Sequence, residues 1–239
     1  MIPVRPAGEP ENFDSQVRQP GLRWLAECGW NPEHPPRQPG KLPNYWTECK
    51  GQFYEAYDGV CAYYAFKLPP IFTSKPAEPL EPATVDPWLT GEPSIDHFLP
   101  KATNPARLAY EWTNYRLASY RANRVKGSAT DVLDPFELLE GTFQLRLGSG
   151  EVQVNPTLDA AARKAAEDTI RRLQLNHGSL KRDRKLFLEK CAGGEVLAGQ
   201  LREERPFLYQ ELIRLGEYPP ISEQPVASPD RWFHPSDSL

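Results

Sequence analysis

Short stretches of helical spacing and of strand-like alternation follow one another along this chain, separated by prolines, and no internal repeat joins them. Residues 21–28 read as a short helix whose Trp24 and Leu25 dock it on the main body. Residues 44–57 carry Tyr45, Trp46, Phe53, Tyr54 and Tyr57 at roughly helical spacing, the kind of aromatic stripe that builds a core. Asp58-Gly59 signals a turn, and the apolar, aromatic run 60–66 predicts a strand. Prolines punctuate residues 67–92 and predict an irregular connection. Residues 94–99 then predict a short strand closed by Pro100. Asn104-Pro105 opens a short helix over 106–112, and residues 114–119 form a second strand with Tyr115 and Leu117 on one face. A helix over 120–126 follows and stops at Gly127.

Beyond Gly127 the pattern changes. Residues 132–136 read as a turn and 141–154 as a hairpin bent at Gly148-Ser149-Gly150. A helix over 157–175 places Leu158, Ala161, Ala165, Thr169 and Leu173 mostly on one face. Another runs over 179–191, capped by Ser179 and ended at Gly193-Gly194, and Pro206 splits 195–215 into two shorter helices. These elements predict an α+β fold in four segments. Residues 1–45 are a Pro-rich arm, 46–135 a small strand–strand–helix core, 136–216 a hairpin with helices, and 217–239 a Pro- and Ser-rich tail.

Composition narrows the class. With 39% hydrophobic and 25% charged residues, six Trp, ten Tyr and ten Phe, the chain has material for a core. The 26 prolines favour long irregular connections. A net charge of −4 argues against a broad nucleic-acid-binding face. One local basic cluster does exist, Arg116, Arg121, Arg124 and Lys126; the commonest meaning of such a run is a solvated face. A second set, Arg171, Arg172, Lys181, Arg182, Arg184 and Lys185, reads the same way. Cys28, Cys49, Cys61 and Cys191 are scattered without a C-x-x-C pair, as expected of free thiols in a reducing compartment. No apolar run follows Met1 and none is long enough to span a bilayer, so a cytoplasmic protein without a membrane partner is expected.

Candidate chemistry centres on Asp96-His97. Phosphodiester cleavage needs a water nucleophile, a base to take its proton, and positive charge on the departing oxygen. An imidazole suits the role of base, and a hard cation on oxygen ligands supplies the positive charge. Side chains of neighbouring strand residues leave on opposite faces, so Asp96 and His97 meet at one site only if the strand end bends. Asn114 opens the second strand. Asn123 lies in the following helix, where a strand–loop–strand–helix path returns it beside the first strand. Lys126 shares a helix face with Asn123 and could touch phosphate.

The ordered set Ile95-Asp96-His97-Phe98-Leu99-Pro100, Trp112-Thr113-Asn114-Tyr115 and Asn123-Arg124-Val125-Lys126-Gly127 resembles the motif of HNH (ββα-metal) endonucleases. The resemblance covers about residues 58–127. It implies that Asp96 and Asn123 are ligands of one divalent cation, Mg²⁺ or alternatively Mn²⁺. It makes His97 the general base and Asn114 the residue that steadies the loop and the histidine. Arg121, Arg124 and Lys126 become contacts to a DNA backbone. Many such proteins carry two C-x-x-C pairs on a structural zinc; here the positions read Cys61-Ala62-Tyr63-Tyr64 and Ser119-Tyr120-Arg121-Ala122. No structural zinc is expected, with aromatic packing in its place. The helical tail, Ala-Glu-Asp-Thr-Ile-Arg-Arg-Leu-Gln-Leu at 166–175, is similar to tails of HNH proteins in bacterial anti-phage systems of the Septu and retron kind, which implies an ATPase partner subunit. Two other readings stay open: a catalytically inactive scaffold of a defence complex, and an RNase toxin.

Overall fold

The structure of the protein, a computed structural model, describes residues 1–71 and 91–217. A wide helical turn over Asp14–Arg18 runs into α1 (Gln19–Glu27). Phe13, Val17 and Leu25 are fully buried, whereas Trp24 stays half-exposed with its ring against Trp30. Gly21 is the contact point: a β-carbon there would lie 2.3 Å from the Tyr110 ring, so only glycine lets α1 come this close. Phe13 meets Trp112 and Tyr115 edge-on, with ring centroids 5.5 and 5.9 Å away. The first 45 residues are thus part of the core that supports the candidate site, rather than an appendage to it.

The aromatic stripe folds as a 3₁₀ turn over Tyr45–Cys49 followed by α2 (Lys50–Ala56), with Phe53 fully buried against Trp112. Residues 60–66 are not a strand. Val60 and Lys67 make one isolated bridge, Cys61 N donates to Phe66 O, Ala65 N donates to Cys61 O, and Ala65 has φ of 52°. The run is apolar because the whole turn is buried, not because it alternates across a sheet; Ala62 N donates to Leu117 O and ties it to the next element pair.

β1 (Pro93–His97) pairs antiparallel with β2 (Tyr115–Ser119), in a register that sets Ile95 opposite Leu117, Asp96 opposite Arg116 and His97 opposite Tyr115. The connection holds two short 3₁₀ turns, Ala106–Tyr110 and Trp112–Asn114, where a helix was expected over 106–112. α3 (Tyr120–Lys126) follows β2 without a loop. Ser119 caps it by accepting from Ala122 N at 3.1 Å, and Gly127, at φ 51°, ends it.

The rest is a second hairpin with helices. β3 (Phe143–Arg146) pairs with β4 (Glu151–Val154). α4 (Ala160–Arg172), α5 (Gly178–Ala192), α6 (Ala198–Glu204) and α7 (Pro206–Arg214) follow, with Pro206 opening α7 as its position required. α4 buries Thr169 and then Leu173 as expected, and Ala166 besides, with Leu158 and Ala165 half-buried; Ala161 alone of the expected stripe is exposed. The cap of α5 is His177, whose Nδ1 accepts from Ser179 N, so Ser179 is inside the helix instead of before it. Asp183 and Arg205 pair in this region, both buried. The architecture is mixed α+β. Among the described residues no helix is long and apolar enough to cross a membrane. Most of the expected irregular connection over 67–92, and the tail from 218, lie outside the described residues.

Candidate functional site

Side chains on β1 alternate, and the site divides accordingly. Ser94 and Asp96 belong to the face covered by α3, while Ile95 and His97 belong to the other. On the α3 face, Asn123 Nδ2 donates to Ser94 Oγ and to Ile95 O, both at 3.2 Å. A carbonyl only accepts, so the nitrogen must face the strand; Oδ1 is turned the other way and makes no hydrogen bond among the described residues. One helical turn on, the Lys126 ammonium lies 3.0 Å from Asp96 Oδ2, 3.3 Å from Oδ1 and 3.1 Å from His97 O. The Tyr63 hydroxyl donates a short hydrogen bond to Asp96 Oδ2.

Asp96 is 2% exposed. Burial pushes its carboxyl above the ordinary range, against the pull of Lys126 and the Tyr63 hydroxyl. Burial and then the Asp96 charge raise the Tyr63 phenol well above its ordinary value, which keeps it a donor. Lys126, expected at a phosphate, is instead an internal cation with its side chain out of solvent. The same correction applies to Arg116, which pairs with Asp134 through Nε at 2.8 Å and lies 3.5 Å over the Phe136 ring. Two of the four clustered basic residues are therefore counter-ions inside the protein, and neither is part of a solvated face. Arg121 reaches Gln174 at 3.3 Å, and Arg124 is exposed.

On the other face the His97 imidazole is 7% exposed and wedged edge-on between Trp46 and Tyr115, with ring centroids 4.7 and 5.1 Å away. Nε2 lies 3.0 Å from Ala109 O, which also accepts from the Tyr115 hydroxyl at 2.8 Å. Because a carbonyl cannot donate, Nε2 carries the proton and Nδ1 keeps the lone pair. Burial first, then the charge of Lys101, lowers the His97 pKa to about 3, so the ring is neutral at physiological pH. Asn114 fastens the connection between the strands: Oδ1 accepts from Leu99 N at 2.8 Å, and Nδ2 donates to Leu108 O at 2.8 Å and to Leu99 O at 3.2 Å. A buried carboxamide joined to three backbone groups fixes the loop that carries Ala109.

Two functional candidates were not singled out from sequence. Tyr63 is hidden in an apolar run, and only the fold brings it to Asp96. Lys101 follows Pro100 directly; its ammonium lies 4.0 Å over the Trp46 ring, and its charge acts on both His97 and Asp96. A signal existed in neither local pattern, since both contacts are made with distant segments.

The two quartets named above converge. Cys61 Sγ accepts from Tyr64 N and Ser119 N, both at 3.4 Å, while the Ser119 hydroxyl is committed to the α3 cap. The Tyr64 hydroxyl donates to Leu173 O. One thiol and one committed hydroxyl do not fit a structural zinc, which takes four sulfur or nitrogen donors; a helix cap and buried rings hold the elements together here. For a divalent ion at Asp96, the carboxylate is already in contact with the Lys126 ammonium and the Tyr63 hydroxyl, and Asn123 Oδ1 is turned away from the strand. No group of three or more His, Cys, Asp or Glu is assembled among the described residues. Mg²⁺ accepts few protein oxygens with water completing its shell, and here it would have to displace Lys126 from the carboxylate. A cavity of about 700 Å³ between residues 2–5, the turn at Asp58 and α6, with Arg5, Asp58, Lys67 and Glu203 on its walls, shares no residue with this site.

No protein-family model matches the chain, and no curated protein matches it.

Proposed function

We propose that the protein is a metal-dependent nuclease of the HNH (ββα-metal) type that hydrolyses DNA phosphodiester bonds. One observation carries the reading: within a strand–strand–helix unit, His97 is pinned through Nε2 to Ala109 O, which leaves Nδ1 as the acceptor, while α3 sets Asn123 on the same face of β1 as Asp96. In this reading Nδ1 of His97 takes the proton from the attacking water, and Asn114 holds the loop that orients the ring. Asp96 and Asn123 would hold a divalent ion, Mg²⁺ or Mn²⁺. Such an ion supplies charge neutralisation on the phosphate and on the departing oxygen. Arg124 and Arg121 would meet the DNA backbone. The net charge of −4 leaves much of the affinity to a partner, and an ATPase subunit in an anti-phage system is the partner proposed.

A second reading, a catalytically inactive scaffold with the nuclease shape, is favoured by a different observation. The Lys126 ammonium already neutralises Asp96, and His97 keeps only 7% of its surface. Supercoiled plasmid, single-stranded DNA and transfer RNA offered with Mg²⁺ or Mn²⁺ separate the readings. The nuclease cleaves DNA, and His97→Ala slows it by about 100-fold or more. Cleavage of RNA alone overturns the DNA assignment; a His97→Ala rate equal to wild type, or no cleavage with any substrate, overturns the enzyme.

A further inference from the structure

The cations of this unit fall into two groups. Arg116 and Lys126 are neutralised by Asp134 and Asp96. Lys101 is not. It is half-buried, and among the described residues its ammonium makes no ion pair and no hydrogen bond. What holds it is the face of Trp46, 4.0 Å away, and that same indole packs on the His97 ring at 86° with centroids 4.7 Å apart. A cation taken partly out of water without a counter-ion costs free energy that a cation–π contact only partly offsets. Among the described residues none takes its three N–H donors, and a lysine ammonium binds phosphate as a point charge.

We infer that Lys101, seated on Trp46, is the anion anchor of the site and receives a phosphate oxygen beside the His97 imidazole. The inference rests on the nuclease reading for its substrate, a nucleic-acid phosphodiester, and it moves the principal phosphate contact from Lys126 to Lys101. The shared chemistry is a phosphate oxyanion, which free inorganic phosphate also offers. Lys101 contributes binding rather than proton transfer, so its loss raises KM and leaves kcat nearly unchanged.

The test uses the full chain in metal-free buffer, with tryptophan fluorescence followed during titration with inorganic phosphate and, separately, with a short DNA duplex. Trp46→Phe supplies the blank that isolates the signal of the indole under Lys101. The wild type gives a saturable change with both ligands, Lys101→Met weakens both by about tenfold or more, and Lys101→Arg stays within about threefold, since it keeps the charge. The salt dependence of duplex binding falls by about 0.9 in log–log slope for Lys101→Met. Unchanged affinity in Lys101→Met, or no response of the wild type to either ligand, overturns the inference. Response to phosphate without response to the duplex overturns the phosphodiester assignment. The two readings fail separately. If the wild type cleaves DNA and His97→Ala does not, yet Lys101→Met retains affinity and KM, only the anchor falls. If nothing is cleaved but Lys101→Met loses anion binding, only the hydrolysis falls.

Discussion

In the C-terminal helices, Asp183 meets Arg205 through two hydrogen bonds of 3.1 and 3.0 Å, and the guanidinium lies 3.9 Å over the Phe187 ring. In the strand–strand–helix unit, Asp96 meets Lys126 at 3.0 Å, with the Tyr63 hydroxyl as its other partner. Both pairs are buried, but they differ in what they leave over. A guanidinium fork matches a carboxylate edge to edge, and an aromatic ring covers its face, so Asp183–Arg205 is complete and serves to join helices. An ammonium is a point charge, and in the same unit, among the described residues, the His97 ring on the other face of β1 is held through Nε2 alone, Asn123 Oδ1 makes no hydrogen bond and Lys101 makes no ion pair. The first pair is a joint; the second is the one we propose takes a ligand.

Substitutions can break that contrast. Asp183→Ala strands a buried guanidinium and is expected to cost about 3–5 kcal/mol of stability, read by urea denaturation, with cleavage per folded molecule unchanged. Asp96→Asn keeps an acceptor for Lys126 and Tyr63, costs about 1–3 kcal/mol, and abolishes metal-dependent cleavage. If Asp96→Asn and Asp183→Ala behave alike in both assays, the two pairs are the same kind of object. Asn114→Ala removes three hydrogen bonds from the connection and is expected to cost about 1–3 kcal/mol, with turnover lowered and metal affinity retained.

A pH experiment sharpens the contrast further. With the His97 pKa at about 3 in the folded protein against an ordinary 6.5, the unfolded chain binds the extra proton throughout the window between them. The contribution of His97 to stability is therefore complete above 6.5 and is lost as pH falls toward 3. His97→Gln, measured in metal-free protein, should flatten that part of the profile. The smallest effect belongs to Arg124→Ala: exposed and a member of neither pair, it should reduce the salt slope of DNA binding by about 1 and leave stability unchanged.

The strand–strand–helix unit was legible in the sequence because its signals are local. Ser119 caps α3 and Gly127 ends it, and although the first strand stops at His97, before Pro100, the elements lie within two residues of expectation. Asn114, expected to open the second strand, ends the turn one residue before it and bonds the loop at Leu99 and Leu108. What failed to show depends on tertiary partners. Residues 60–66 have a strand's composition, but their burial comes from packing all round a turn whose Ala65 takes a left-handed backbone conformation. The basic cluster reads as a surface until Asp134 and Asp96 come from elsewhere to bury two of its members. Lys101 acquires meaning only from Trp46, which the chain supplies from the far side of the Pro-rich connection.

The most direct test of the account is Mn²⁺ binding followed by EPR on metal-stripped protein. One ion per chain is predicted, lost in Asp96→Asn, weakened in Asn123→Ala and unaffected by Arg205→Lys. Absence of binding, or equal binding in Asp96→Asn, would contradict it and make Asp96–Lys126 a second internal joint.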